Sequence, residues 1–309
     1  MKNLVKFKEQ GFCYGVSRSI EIVNKILDNP NTKKPIFLLG SLVHNKHVND
    51  LFLEKGVLIL DGCSRLEMLD KIDKGTVIIT AHGASQNVFS KAKSKNLDIV
   101  NATCPYVTKT VEVIKEYVSK GYNLAYIGKM NHPEVEAIID DIPCATIIEE
   151  GKEIPLLSKN KYILAHQTTL SDYDVNQMQS KIMKKYSNVE LLKQICIFPQ
   201  KRQEEINEYK FPKDSNIAIV VGDNKSNNAT KLKELLIRRE MGDVVMLNEV
   251  VDLDEINFEK YNNIYIASGT STPMDLVERV YNKIKGVRGT MRSSLYKLTA
   301  IALSVLILF

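Results

Sequence analysis

Three cysteines at almost equal intervals limit the folds open to this 309-residue chain more than any other sequence feature. They are Cys13, Cys104 and Cys196, which lie 91 residues (104 − 13) and 92 residues (196 − 104) apart. Each follows a short apolar run typical of a β-strand and precedes a segment with the apolar periodicity of a helix. This pattern predicts one α/β unit used three times, in which each copy brings one cysteine to a shared centre.

The whole chain alternates short apolar runs with amphipathic segments, which is typical of βαβ units whose parallel sheets are covered on both faces. We therefore predict an α/β protein of three pseudo-symmetric units with mainly parallel sheets, each of roughly 90 residues. No linker rich in Pro or Gly separates the repeats, so the units are expected to pack tightly. The predicted boundaries are 1–103, 104–195 and 196–290, followed by an apolar C-terminal tail at 291–309.

Charge and cysteine usage narrow the functional classes. Five cysteines without a CxxC pair indicate a reducing compartment. The first residues lack the apolar core of a signal peptide, so we expect a cytoplasmic protein. The net charge of +5 suits a small anionic substrate. The sequence contains neither a basic stripe nor clustered aromatic residues, so no nucleic-acid partner is expected.

Polar residues repeat together with the cysteines. Between 28 and 31 residues after each cysteine stands a polar cluster behind a predicted strand, and a second polar residue follows 64 to 75 residues after the cysteine. The first set is His44, His132 and Ser226, and the second set is His82, Thr168 and Ser271. Ligands of open α/β sheets bind at the carboxyl ends of the strands. Three such edges facing one axis would gather these side chains into one pocket.

The three cysteines are predicted to be metal ligands. A thiolate at a helix N-terminus is stabilised by the positive end of the helix dipole, and Pro105 directly after Cys104 suits a first helical position. Free cysteines are most often small buried hydrophobic residues, but the matched spacing and context favour ligands here. Zinc accepts thiolates, whereas three cysteines from separate units suit a cubane iron–sulfur cluster with one uncommitted iron.

The polar set has the chemistry of an anion pocket without a P-loop. Its donors suffice for two phosphate groups and come from His44, His82, His132, Thr168, Ser226, Asn228 and Ser271. The serine and asparagines also suit a helix cap, and capping is compatible with anion binding at one helix end. Glu134 is the single acid of the set, and it either relays a proton or favours the dipole of a helix that begins at Pro133.

At these residues the chain resembles the family of 4-hydroxy-3-methylbut-2-enyl diphosphate reductases, which catalyse the last step of the methylerythritol phosphate route to isoprenoids. The resemblance runs from about Cys13 to Pro273 through ordered and specific motifs. They are Gly11-Phe12-Cys13-Tyr14-Gly15-Val16, Val43-His44-Asn45, Ala81-His82-Gly83, Ala102-Thr103-Cys104-Pro105, His132-Pro133-Glu134-Val135-Glu136, Gln167-Thr168-Thr169-Leu170-Ser171, Ile195-Cys196, Arg202-Gln203, Val221-Gly222, Ser226 with Asn228, and Ser271 with Pro273.

The resemblance implies a trefoil of three α/β domains around a central, oxygen-sensitive [4Fe-4S] cluster, one per chain, with Cys13, Cys104 and Cys196 as its ligands. The implied reaction is reductive dehydroxylation of an allylic diphosphate to isopentenyl and dimethylallyl diphosphate, with a ferredoxin or flavodoxin as electron donor. By the same resemblance, Thr168 lies near the substrate hydroxyl and Glu134 donates a proton. The diphosphate ligands implied are His44, His82, His132, Ser226, Asn228 and Ser271.

The chain departs from the family pattern at three places. Ile197, Phe198 and Pro199 replace the usual Ala-Thr pair after the third cysteine, and Asn227 replaces a common serine while keeping a donor for phosphate. The apolar tail at 298–309 is shorter than the about 20 residues of a spanning helix, so no membrane contact is expected. A closed trefoil predicts a monomer.

Two other functional classes stay open from the residues alone. An iron–sulfur dehydratase similar to quinolinate synthase would use three cysteines but would bind carboxylates in place of a diphosphate. A redox sensor would use the cysteines and would have no need of the histidines, hydroxyls and amides.

Overall fold

The computed structural model describes residues 3–193 and 195–286, and within them twelve β-strands form three four-stranded sheets. Every strand pairing in these sheets is parallel. Helices connect most of the successive strands, as is usual for parallel neighbours, whereas a loop at 149–161 joins β7 to β8. This arrangement confirms the predicted α/β class with three parallel-sheet units.

The strands are short and apolar, as strands covered on both faces must be. They are β1 (Asn3–Lys6), β2 (Ile36–Leu39), β3 (Val57–Leu60), β4 (Thr76–Ile79), β5 (Asp98–Asn101), β6 (Asn123–Ile127), β7 (Ala145–Ile148), β8 (Tyr162–His166), β9 (Val189–Leu191), β10 (Asn216–Val221), β11 (Asp243–Leu247) and β12 (Asn263–Ser268).

The helices are amphipathic and lie between the strands in the chain. They are α1 (Tyr14–Asp28), α2 (Lys46–Glu54), α3 (Arg65–Asp70), α4 (Gln86–Ser94), α5 (Pro105–Ser119), α6 (Pro133–Asp141), α7 (Asp172–Lys185), α8 (Phe198–Glu208) and α9 (Asn227–Arg238), followed by α10, which occupies 274–286 of the described residues. Two short 3-10 helices, Val251–Glu255 and Phe258–Lys260, precede β12.

The three sheets share one strand order. The first sheet runs β3-β2-β4-β5 and the second runs β7-β6-β8-β9. The third sheet runs β11-β10-β12 in the same way, but its fourth position is taken by β1 from the start of the chain. The register pairs Asn3 with Asn263 and Lys6 with Ile266. The N-terminal strand therefore completes the third sheet and links it to the first unit.

Residues 3–6, which fall within the predicted first unit at 1–103, pair in the third sheet. The chain after Cys196 supplies only β10, β11 and β12 to that sheet within the described residues, and β1 covers the edge that β12 would otherwise expose. The predicted unit boundaries stay predictions, and the tail at 291–309 lies outside the described residues. No helix in the described ranges is long and apolar enough to span a bilayer.

Each cysteine lies where the chain leaves the fourth strand of one sheet for the first helix of the next unit. β1 of the third sheet leads to Cys13 and α1, β5 of the first sheet leads to Cys104 and α5, and β9 of the second sheet leads to Cys196 and α8. Because the strands within each sheet are parallel, all three exits come from carboxyl edges. The fold thus brings the three cysteines to one junction.

Each sheet separates two apolar cores, one on either face. In the third unit, Ile219 packs on the side of Val277 in α10, whereas Val220 packs on the side of Leu236 in α9. All four of these side chains are fully buried. Since burying one such side chain contributes about 1.5–3 kcal/mol, the sheets form a rigid frame for the polar residues at their edges.

Candidate active site

A cavity of about 570 Å³ opens where the three units meet. Its walls contain all twelve side chains that the sequence singled out, although they span most of the chain. They are Cys13, His44, His82, Cys104, His132, Glu134, Thr168, Cys196, Ser226, Asn227, Asn228 and Ser271. Each lies in a loop or at a helix start that follows a strand, and the carboxyl edges of the three sheets therefore bring them together.

The three cysteines occupy similar positions at helix N-termini. Cys13 is the N-cap residue of α1 and Cys104 that of α5, while Cys196 directly precedes the N-cap residue of α8. The backbone N–H of Cys13 donates to the carbonyl of Thr270 (3.0 Å), and that of Cys104 donates to the carbonyl of Ala81 (2.9 Å). Each of these two cysteines is therefore tied to the unit that precedes its own helix.

Burial disfavours the thiolate form of two of the three cysteines. It raises the pKa of the Cys196 thiol to about 12, although the backbone N–H of Phe198 opposes the shift. It also raises the pKa of the Cys104 thiol, against the backbone N–H groups of Tyr106 and Val107. A metal cation beside such sulfurs stabilises the thiolate form. Three soft sulfur donors from three units fit an iron–sulfur cluster that keeps one iron free of protein ligands.

Gly15 allows α1 to approach the second cysteine closely. A Cβ atom at this position would lie 2.4 Å from Sγ of Cys104 and 3.0 Å from its Cβ. Because the first of these distances is a steric clash, any larger residue would push α1 and Cys104 apart. The glycine in the first cysteine motif is therefore explained by its contact with a cysteine of the next unit.

The three histidines stand side by side on one wall. Ring centroids lie 5.7 Å apart for His44 and His82, and 5.1 Å apart for His82 and His132. Their ring nitrogens lie within 4.8 Å of one another, a spacing that could also hold a metal ion. Burial lowers the pKa of His44, lowers that of His82 far more, and lowers that of His132 to about 3. The rings are therefore neutral near pH 7, and each carries one N–H donor.

Hydroxyl and amide groups of the third unit form another wall. Ser226 is the N-cap residue of α9, where its Oγ accepts the backbone N–H of Ala229 (3.4 Å), and this Oγ lies 3.0 Å from Oγ of Ser271. Nδ2 of Asn228 donates to Oγ1 of Thr270 (2.6 Å). These groups and the N-terminus of α9 give the cavity a wall suited to an anion.

Asn227 connects two units beside the cavity. Its Nδ2 donates to the backbone carbonyl of Thr169 at 2.7 Å. This contact joins the start of α9 in the third unit to the loop after β8 in the second unit. The amide thus fixes the position of the helix end that carries the serine and asparagine donors.

Glu134 is a buried carboxyl group, 4 % exposed, in the first turn of α6. One carboxyl oxygen accepts the backbone N–H of Thr168 (2.9 Å), and the other accepts the Oγ1 hydroxyl of Thr168 (2.7 Å). Burial raises the pKa of Glu134 to about 6, although the two hydrogen bonds from Thr168 oppose the shift. A carboxyl group with this pKa exchanges protons near neutral pH, as a general acid must.

Two lysines of the cavity were not predicted from the sequence. Lys129 follows β6 after one glycine, and Lys225 lies in the loop before α9. Both line the cavity, and the positive charges of both act on His44. The sequence did contain a signal for Lys129, because a lysine just after a buried strand lies at the carboxyl edge of the sheet. They give the cavity the positive potential that an anion requires.

Arg65 is a buried cation that the sequence gave no means of finding. It is 4 % exposed, and its guanidinium donates to Oγ1 of Thr80 (2.9 Å). Burial lowers the pKa of Arg65 to about 10, so it stays charged, and its charge favours the ionised form of Glu134. Its sequence context is an ordinary helix start with a capping box at Ser64, which is typical of a surface helix.

The departure from the family pattern after the third cysteine fits the start of α8. Pro199 is buried, lines the cavity and stands in the first two positions of the helix, where its missing N–H has no intrahelical partner to lose. The ring of Phe198 contacts the ring of Tyr106 edge to face, with centroids 5.3 Å apart. Cys196 keeps its place in the cavity wall.

Comparison with known proteins points to a single family. The profile of the LytB protein family matches residues 4–285. The 4-hydroxy-3-methylbut-2-enyl diphosphate reductase of Halalkalibacterium halodurans is 38% identical over 281 residues, which cover 90% of this chain and 89% of the relative. The protein of the same name from Anoxybacillus flavithermus is 39% identical over 280 residues, which cover 90% and 88% of the two chains.

Solved structures with the same fold extend this similarity. The E-1-hydroxy-2-methyl-but-2-enyl-4-diphosphate reductase from Plasmodium falciparum superposes with a TM-score of 0.80 and 30% identity, covering 91% of this chain and 87% of that one. A structure described as the diphosphate reductase that is the terminal enzyme of the non-mevalonate pathway superposes with a TM-score of 0.65 and 23% identity, covering 93% and 100%. The shared fold therefore includes nearly the whole chain.

Proposed function

Because this chain belongs to the LytB protein family, we propose that it is a 4-hydroxy-3-methylbut-2-enyl diphosphate reductase. In the proposed reaction the substrate takes up two electrons and two protons, loses its hydroxyl group as water, and leaves as isopentenyl or dimethylallyl diphosphate. The observation that carries the proposal is one cavity lined by three cysteines, three histidines and a buried glutamate. The names of the similar proteins supply the substrate.

In this proposal one [4Fe-4S] cluster per chain would be held by the thiolates of Cys13, Cys104 and Cys196. The donor set supports it, because three cysteine sulfurs at helix N-termini come from three units and would leave one iron without a protein ligand. Gly15 supports it further, since its missing side chain keeps space beside Cys104. When bound, the cluster supplies one-electron transfer and a Lewis-acidic iron.

The diphosphate of the substrate would lie between the histidine wall and the start of α9. Imidazole N–H groups would donate to it from His44, His82 and His132, and hydroxyl or amide groups from Ser226, Asn227, Asn228 and Ser271. Lys129 and Lys225 support this assignment, because both line the same cavity and add positive charge. With the diphosphate held there, the other end of the five-carbon chain would reach the part of the cavity that the cysteines line.

Glu134 would be the proton donor, and Thr168 would hold it in position. The carboxyl group lines the cavity and has a pKa of about 6, so a protonated fraction persists near neutral pH. The two hydrogen bonds from Thr168 restrict its rotation. The single acid proton of Glu134 would then pass to the substrate hydroxyl, which would leave as water.

The partners follow from the proposed reaction. A ferredoxin or flavodoxin would deliver the two electrons one at a time, and the protein would act as a monomer in the cytoplasm. The mild positive net charge of +5 is compatible with both an anionic substrate and an acidic electron carrier.

A zinc site on the three histidines is the alternative that their spacing alone would favour. The neighbouring groups of the third unit favour a diphosphate instead, because hydroxyl and amide N–H groups donate to anions and are not zinc ligands. The lysine charges that act on His44 also repel a cation.

The direct test is substitution of the proposed proton donor in anaerobically prepared protein. Glu134→Gln should lower kcat by about 100-fold or more, because a general acid usually contributes at least this factor to the rate. Iron and sulfide contents should stay unchanged. Glu136→Gln is the matched control, since Glu136 lies two residues away in α6 and does not line this cavity. Full turnover by Glu134→Gln would contradict the assignment of the proton donor.

A further inference from the structure

Each helix that follows a cysteine carries an aromatic residue at its first or second position. These are Tyr14 in α1, Tyr106 in α5 and Phe198 in α8. The rings of Tyr14 and Tyr106 meet edge to face with centroids 6.2 Å apart, and those of Tyr106 and Phe198 meet in the same way at 5.3 Å. Three rings from three units therefore form one continuous row at the cysteine junction.

This row lies outside the lining of the substrate cavity. None of its three rings is among the described residues that line the cavity, although the three cysteines are. Tyr14 is 52% exposed, and the neighbouring Ile197 is 40% exposed. Exposed aromatic and apolar side chains grouped in this way are typical of protein–protein interfaces. We call Tyr14, Tyr106, Ile197 and Phe198 the aromatic rim.

A positive charge accompanies each ring one helical turn later. Arg18 follows Tyr14 by four residues, Lys109 follows Tyr106 by three, and Lys201 follows Phe198 by three. Residues at these intervals share one helix face. None of the three helices carries an acidic residue in its first turn, where acidic residues are usually favourable. Three helix N-termini and three cations therefore surround the aromatic rim with positive electrostatic potential.

We propose that the aromatic rim and its three cations are the docking surface for a small acidic protein that carries one electron at a time. The inference rests on the proposed reductase function, which needs two electrons from outside for each turnover. Two carrier molecules would each lose one electron and leave oxidised, while the substrate gains both electrons and two protons and releases water. The row of rings brings such a carrier directly against the residues next to the cysteines.

An acidic carrier fits this surface better than a second copy of the chain. A second copy would bring the same cations against Arg18, Lys109 and Lys201, and the whole chain has a net charge of +5. The positive potential around the aromatic rim would instead raise the association rate of an acidic partner. The ion pair of Lys109 with Glu112 is exposed and long, at 3.5 Å, and leaves the lysine charge accessible.

The test compares two electron sources on the holoenzyme. Reduced flavodoxin is the acidic protein carrier, and reduced methyl viologen is a small carrier that needs no docking surface. The double variant Lys109→Glu/Lys201→Glu should raise the flavodoxin KM and the calorimetric Kd for flavodoxin by about tenfold at low salt. Turnover with methyl viologen should stay at the wild-type rate.

The matched control is Lys120→Glu/Lys210→Glu, which makes the same change in net charge just beyond the far ends of α5 and α8. It should leave the flavodoxin KM and Kd unchanged. Equal effects of the two double variants, or no flavodoxin binding by the wild type, would overturn the docking surface. Absence of viologen-driven turnover in the wild type would instead contradict the reductase function, and the flavodoxin binding isotherms would still decide the docking surface.

Discussion

Glu134 and Thr168 form a paired contact in which both oxygens of the buried carboxyl group accept hydrogen bonds from one residue, at 2.9 Å from the backbone N–H and 2.7 Å from Oγ1. The two residues come from α6 and from the loop after β8, which are neighbours because β6 pairs with β8. Burial raises the pKa of Glu134 and Thr168 limits the rise. The pair therefore sets the pH range in which the carboxyl group holds a proton.

Thr168→Val should move the pH dependence of the reaction upward. Loss of the hydroxyl bond removes an interaction that favours the ionised carboxylate, so the pKa of Glu134 rises from about 6 by roughly one unit. An acid acts in its protonated form, so kcat/KM falls as pH rises through this pKa, and the fall should occur at higher pH in the variant. Thr168→Ser keeps the hydroxyl and should follow the wild-type profile. Identical profiles for all three proteins would contradict the role of Thr168.

Diphosphate binding should be accompanied by proton uptake at the histidines. Burial holds the pKa of His132 at about 3 and lowers those of His44 and His82, so the rings are neutral beforehand. A diphosphate anion favours the protonated ring and raises these pKa values, so binding takes up about one proton near pH 7 and strengthens as pH falls. Calorimetry in buffers of different ionisation enthalpy measures this uptake.

His44→Asn is the comparison for that experiment, because Nδ1 of His132 accepts the backbone N–H of Glu134 (3.2 Å) and could take up a proton only by losing this cap of α6. The variant should bind the diphosphate with less proton uptake than the wild type. Equal uptake by both proteins would show that His44 stays neutral when the ligand binds.

Lys231 should stabilise the packing of the third unit against the second. Its Nζ lies 2.8 Å from Asp174 of α7 and 3.0 Å from Glu234, and both partners in the first pair are nearly buried. Burial alone would lower the pKa of Lys231, but the carboxylates of Asp174 and Glu234 raise it. Lys231→Ala should lower the free energy of unfolding by about 3 kcal/mol, because Asp174 is left buried without a cation.

Lys120→Ala is the matched control for this measurement, since Lys120 pairs with Glu116 on the exposed surface of α5. Its free energy of unfolding should stay within about 0.5 kcal/mol of the wild type. Similar losses for the two variants in denaturant unfolding would contradict the structural role of Lys231.

Gly15→Ala should impair metal incorporation more than folding. The added Cβ would lie 2.4 Å from Sγ of Cys104, so the sulfur must move out of its present position. We expect iron per chain after anaerobic purification to fall severalfold, while the circular dichroism of the helices is unchanged. Ser17→Ala, at an exposed position of the same helix, should retain the iron of the wild type. Full iron content in Gly15→Ala would contradict this account of the glycine.

The features of this structure that depend on short stretches of sequence were predictable. The alternation of apolar runs with amphipathic segments predicted the parallel α/β units, and polar residues after strands predicted the cavity wall, because carboxyl edges are where such sheets bind ligands. The pairing of β1 with β12 could not be predicted, because the four residues of β1 carry no sequence signal for the sheet that they join. Arg65 was missed because its burial depends on packing against residues far along the chain.

Iron and sulfide analysis of anaerobically purified protein, combined with an assay on 4-hydroxy-3-methylbut-2-enyl diphosphate and a chemical reductant, tests the central claim most directly. The account predicts about four iron and four sulfide per chain, as a [4Fe-4S] cluster contains, loss of this content in Cys104→Ser, and conversion of the substrate to five-carbon diphosphates that lack the hydroxyl group. Protein that binds no iron, or that holds the cluster and leaves the substrate unchanged, would contradict it.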